Sequence, residues 1–165
     1  MQLVETKQID LGAVICFIKE VSNANQIKAE LERLVDKLKK SNIKHKNLTV
    51  TKVIDKNPVK KTVLMEVSVP IDANDAIGSF IETYPKYSSV ACFKISSGYK
   101  ISIPNNMNDF KAAVEMFLSK LNENPDLDSF DLYGNPIIEV AKIAHDGTIL
   151  GFDLYLENKC LGGGN

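Results

Sequence analysis

The sequence predicts an α+β fold made of two tandem strand–helix–strand–strand units. Two amphipathic helical stripes recur 83 positions apart, several runs alternate apolar and polar residues, and the strands flanking each stripe follow in one order. Ile27, Leu31, Leu34, Val35 and Leu38 form the first stripe, and Phe110, Val114, Phe117, Leu118 and Leu121 the second. Both have the i, i+4, i+7, i+8, i+11 spacing of a single buried helix face. The first helix is expected between Asn25 and Lys40, with Ser22, Asn23 or Asn25 accepting from its free N–H groups and Asn42 following it. The second is expected between Asn108 and Asn122, capped by Asn106 or Asn108 and stopped by Asn124-Pro125.

The strands read from their period of two. Val63, Met65, Val67, Val69 and Ile71 alternate with Leu64, Glu66, Ser68 and Pro70, and Leu150, Phe152, Leu154 and Leu156 alternate with Gly151, Asp153, Tyr155 and Glu157. Ile137 to Ala144 is a further run, and His145-Asp146-Gly147-Thr148 after it carries a hairpin signal. Gly12 to Lys19, Leu48 to Ile54, Val90 to Ile95 and Tyr99 to Ile103 complete the strands, and Asp55-Lys56-Asn57-Pro58 reads as a turn. Val67 to Asp72 closes the first half as Asp153 to Asn158 closes the second. The expected organisation is one domain over 1–160, built of pseudo-repeats at about 1–74 and 85–158, with a flexible tail at 161–165.

Composition excludes more than it assigns. The 165 residues are 44% hydrophobic and 25% charged, enough for an ordinary core without disulfide or metal. The 20 basic and 21 acidic residues nearly cancel, which argues against a nucleic-acid or anionic-membrane partner. The charged N-terminus does not read as a signal peptide, so none is expected, and the apolar run Ala13 to Ile18 is too short to span a bilayer. Three scattered cysteines (Cys16, Cys92 and Cys160) suit buried thiols in a reducing cytosol, so a cytoplasmic location is expected. The Asn47-Leu48-Thr49 sequon is then idle.

Catalytic patterns are missing. His45 and His145 read as surface histidines, and no nucleophile elbow, CxxC or HExxH is present. Gly162-Gly163-Gly164 follows no strand-to-helix turn, so it is a tail and not a phosphate loop. Lys37, Lys39, Lys40, Lys44 and Lys46 complement the dipole at the end of the first helix. The expectation is a protein that is not an enzyme and needs no cofactor or metal. The side chains left to line a binding groove are Glu66, Tyr99, Glu139, Asp153 and Tyr155, a set suited to a basic peptide or a cationic ligand.

The tandem plan resembles the gyrase-inhibitor-like domain, also found as the effector-binding domain of bacterial transcription activators. A glycine-led strand precedes each helix (Gly12, Gly98), Val69-Pro70-Ile71-Asp72 ends a strand, and Ile138-Glu139-Val140 opens the last hairpin. The resemblance implies one curved, mainly antiparallel sheet with two helices on one side and a ligand groove between the units. It also implies that a carboxylate matching Glu139 faces that groove and pairs with cationic ligands. The sequence departs from the pattern at Ala141, where an aromatic often stands, and it contains no Trp.

The size, the Lys/Asn/Ile-rich character and the opening pattern are also similar to small cytosolic accessory proteins of Gram-positive type VII secretion systems. Together the readings lead to a non-enzymatic binding protein. The main expectation is a cytosolic adaptor or chaperone for a protein partner in type VII secretion or toxin handling. The alternative is a stand-alone small-molecule effector-binding module.

Overall fold

Asn23 starts the first helix. Its backbone is extended, and its side-chain Oδ1 accepts from the Gln26 N–H at 3.3 Å, opening α1 over Ala24–Lys40. Three lysines in the last turn face the negative end of the dipole, and Asn42 turns left-handed at φ 58° to stop the helix. The computed structural model describes residues 2–104, 110–123, 136–144 and 149–157. The sequence features at Asn106, Asn108, Asn124-Pro125, His145 and 161–165 lie outside the described residues.

The other elements are β1 (Val4–Thr6), β2 (Ile9–Val21), β3 (Leu48–Asn57), β4 (Thr62–Pro70), α2 (Ile77–Thr83), β5 (Ser88–Ile95), β6 (Gly98–Pro104), α3 (Phe110–Asn122), β7 (Ile138–Ile143) and β8 (Ile149–Glu157). The class is therefore α+β with antiparallel strands, as the patterning predicts. The chain clusters into two compact units, one of Leu11–Phe93 and one combining Met1–Asp10 with the chain from Lys94 onward.

In the Leu11–Phe93 unit the strands run β3-β4-β2-β5. Ile15 pairs with Val69 and Phe17 with Val67, so these side chains share one face. That face packs on Leu34 and Leu38 of α1, with Ile43, Ile71, Phe80 and Tyr87 completing the core. The opposite face carries Cys16 and Ser68, which are also buried. At the strand order's end, β5 is exposed from Ser88 to Cys92, so Cys92 is not the buried thiol expected from its apolar run. His45 is half-buried in a bridge to Ile71, its Nδ1 accepting from the Asn47 N–H at 3.1 Å.

The other unit repeats the plan with β7-β8-β6-β1. Tyr99, Ile101 and Ile103 of β6 pair with Leu156, Leu154 and Phe152 of β8. This face packs on Ala113, Phe117 and Leu121 of α3. The registers correct one match made from the sequence. The counterparts of Val67, Val69 and Ile71 are Phe152, Leu154 and Leu156, one residue earlier than the match of Val67 with Asp153. A one-residue slip exchanges the faces of a strand, and burial decides the phase.

A third helix departs from the two expected. Ile77, Phe80, Ile81 and Tyr84 make a stripe of only two turns, preceded by Asn74, whose Oδ1 accepts from the Ala76 N–H at 2.8 Å. Its seven residues are too few to stand out from turn-rich surroundings. Among the described residues no helix is long and apolar enough to cross a membrane.

Candidate functional site

The five groove candidates fall into separate surroundings. Tyr99 lies in the α3 core opposite Leu156, almost wholly buried. Glu66 sits across from Ile18 and Lys52, and the Lys52 Nζ lies 3.8 Å from its carboxylate. Its face also carries the Cys16 thiol, 3.1 Å from the Ser68 hydroxyl, and burial pushes that thiol above its ordinary value. Such a thiol is a poor nucleophile.

Asp153 and Tyr155 stand two residues apart on β8 and share a face, only 5% and 7% exposed. Burial, with the adjoining Asp153 charge and hydrogen bond, pushes the Tyr155 phenol up to about 12. The Lys142 Nζ lies 3.8 Å from the Asp153 carboxylate. Asp153 thus already has a cation within reach, and the Tyr155 phenol stays protonated.

Glu139 differs from all of these. It pairs with Leu154 in the β7–β8 register, which places it on the α3-facing side, whereas Asp153 and Tyr155 occupy the other face. Among the described residues no hydrogen bond or ion pair engages its carboxylate. Burial alone pushes it up to about 7. A carboxylate without a partner in apolar surroundings keeps its proton until near neutrality, or until a cation arrives.

A buried glutamate lies outside the five candidates. Glu30 of α1 is 5% exposed, and it is ringed by Lys86 at 2.6 Å, Arg33 at 3.0 Å and Lys19 at 3.5 Å, while the Tyr87 hydroxyl donates to it at 3.0 Å. Burial works to raise its pKa, but the bonds from Lys86, Tyr87 and Arg33 and the Lys86 charge outweigh it, holding the group at about 2. The available signal was its position on the apolar stripe, three residues from Ile27 and four from Leu34.

One cavity lies in the Leu11–Phe93 unit. It measures about 680 Å³ and is lined by Ala13, Ala73–Asp75, Ile77 and Ser89–Ala91. Its walls are small side chains with one carboxylate, and none of its residues belongs to the unit carrying Glu139. Among the described residues no three His, Cys, Asp or Glu side chains gather as metal ligands.

Neither a family model nor a curated protein sequence matches this chain. Solved structures do resemble it in shape. A chain of the EcmrR–DNA complex, seen by cryo-EM in EcmrR-RPo, superposes with TM-score 0.56 at 10% identity, covering 94% of this chain and 55% of that one. This chain thus spans about half the length of that one, and the likeness shows a shared fold. SAV2435 bound to tetraphenylphosphonium gives a TM-score of 0.41 at 9% identity, covering 98% and 95% of the two chains. A putative bacterial transcription regulation protein from Staphylococcus aureus MU50 gives 0.36 at 9% identity, covering 94% and 95%. The type VII secretion, adaptor and chaperone readings find no support among these neighbours.

Proposed function

We propose that this chain is a small-molecule-binding module of the effector-binding type, which turns nothing over and takes a lipophilic organic cation. The fold shared with a chain of the EcmrR–DNA complex supports the family resemblance read from the sequence. The single observation that carries the reading is Glu139, a half-buried carboxylate that desolvation pushes up to about 7 and that has no ionic partner among the described residues. Keeping such a group is unfavourable for the fold alone, because ionising it in apolar surroundings costs more than in water. A bound cation removes that penalty. Apolar neighbours such as Leu154 suit the lipophilic part of the ligand, and the carboxylate suits its charge.

Isothermal titration with tetraphenylphosphonium at pH 8, for wild type and Glu139→Gln, tests the reading. Loss of the carboxylate is expected to weaken binding by about 2–5 kcal/mol, as for other desolvated charge pairs. Equal affinities would remove Glu139 from the site, and turnover of a small molecule at an enzyme-like rate would overturn the whole reading.

A further inference from the structure

Positive charge is concentrated in the unit that does not carry Glu139. By sequence, Leu11–Phe93 holds 13 Lys and Arg against 9 Asp and Glu, whereas the rest of the chain holds 7 against 12. The near-zero net charge of the whole chain hides this asymmetry. Within the basic unit, four cations crowd one spot. Lys86, Arg33 and Lys19 share the single carboxylate of Glu30. Lys37 joins them without a carboxylate of its own among the described residues. Its ammonium lies 5.1 Å from the Tyr84 ring centre and 5.3 Å from that of Tyr87, and donates to the Tyr87 hydroxyl at 3.4 Å.

The cluster is preorganised. The Lys86 ammonium is held by two partners, 2.6 Å from the Glu30 carboxylate and 5.1 Å from the centre of the Tyr87 ring. Tyr87 is itself fixed, packed on Phe80 with ring centres 5.9 Å apart and edge-on to Phe17 at 6.1 Å. Holding the cations in place beforehand lowers the entropy cost of binding an anion between them. The cations are reachable as well, since the Arg33 and Lys86 side chains are 60% and 51% exposed. Among the described residues one carboxylate stands against these four cations, an excess of positive charge. Burial, and after it the Lys86 charge, hold the Lys37 ammonium below its ordinary value.

We propose that Lys37, Lys86 and Arg33 form a binding site for a small, multiply charged oxyanion of the phosphate or diphosphate class, separate from the Glu139 site. Compactness selects this ligand. The cations gather around one phenol and one carboxylate, which suits a point-like anion, whereas a nucleic-acid backbone is tracked by a stripe of contacts. Arg33 offers a planar fork of donors, and the two ammoniums supply point charges. A monoanion would leave most of the excess charge in place.

Titration of the full chain with inorganic pyrophosphate and, separately, inorganic phosphate tests the site by calorimetry at low ionic strength. Pyrophosphate is expected to bind at least tenfold more tightly than phosphate. Lys37→Gln is the decisive variant, because Lys37 holds no carboxylate and its loss spares the Glu30 ion pairs. It is expected to weaken pyrophosphate binding tenfold or more while lowering the melting temperature of the unliganded protein far less than Glu30→Gln does. Lys60→Gln, in the exposed β3–β4 turn, is expected to change nothing. The proposal is overturned by no heat of pyrophosphate binding, by equal binding to wild type and Lys37→Gln, or by duplex DNA binding more tightly than pyrophosphate. None of these outcomes depends on cation binding at Glu139.

Discussion

Glu30, buried on α1, and Glu139, half-buried on β7, are both desolvated glutamates, and their acidities lie about five pH units apart, near 2 and near 7. Desolvation acts on both in the same direction. Partners make the difference: three cations and a phenol surround Glu30, and among the described residues no ionic group meets Glu139. The first arrangement ties α1 to the segment between α2 and β5, over 57 residues of sequence. The second stabilises nothing by itself. A buried charge that is fully paired reads as structure, and one left unpaired reads as a site waiting for its counter-ion.

The comparison assumes that the two units are equally well built, and core truncations test this with the largest effects. Phe117, fully buried against β6 and β8, should cost about 3–5 kcal/mol as Phe117→Ala, and Leu34→Ala about 2–5 kcal/mol in the other unit. Urea unfolding measures both. A loss under about 1 kcal/mol at either position would show a loose core there and would break the comparison.

Glu30→Gln should cost about 2–3 kcal/mol at pH 7. Its folded pKa is depressed, so its stabilisation is complete above the ordinary carboxylate value of 4.5 and disappears as pH falls through about 2. Wild type and variant should therefore converge in acid. Equal stability at pH 7 would show that the ring of cations does not hold the carboxylate.

Glu139→Gln should do the reverse. A raised folded pKa penalises the native state increasingly from pH 4.5 to about 7, and the penalty stays constant above that. The variant should match wild type at pH 4 and be more stable by about 1–3 kcal/mol at pH 8. A variant less stable than wild type at pH 8 would reveal a partner for the carboxylate. Glu66, paired across strands with Lys52 at 3.8 Å and only half-buried, sets the lower end of the scale. Glu66→Gln should change stability by no more than about 1 kcal/mol at pH 7.

Much of the frame was legible because it depends on local periodicity. The α1 stripe, the β4 alternation and the order of strands around each helix need only neighbours in sequence. What escaped was either short or distant. β1 has three residues and α2 has seven, too few for a period to stand out. The phase of β8 relative to β4 was read one residue late, since alternation alone does not say which set of side chains is buried. The same ambiguity separated Glu139 from Asp153 and Tyr155, which the sequence grouped but the register places on opposite faces. Glu139 itself stood out through family resemblance, whereas the Glu30 cluster depends on Lys86 and Tyr87, whose approach only the folded chain reveals.

The central claim is that Glu139 holds a proton that a cationic ligand displaces. Counting protons tests it most directly: calorimetric titration with tetraphenylphosphonium at pH 6, in buffers of different ionisation enthalpy, gives the number released per cation bound. With the free carboxyl titrating at about 7, close to one proton should leave for each bound cation in wild type, and none in Glu139→Gln. Binding without proton release in wild type would contradict the account.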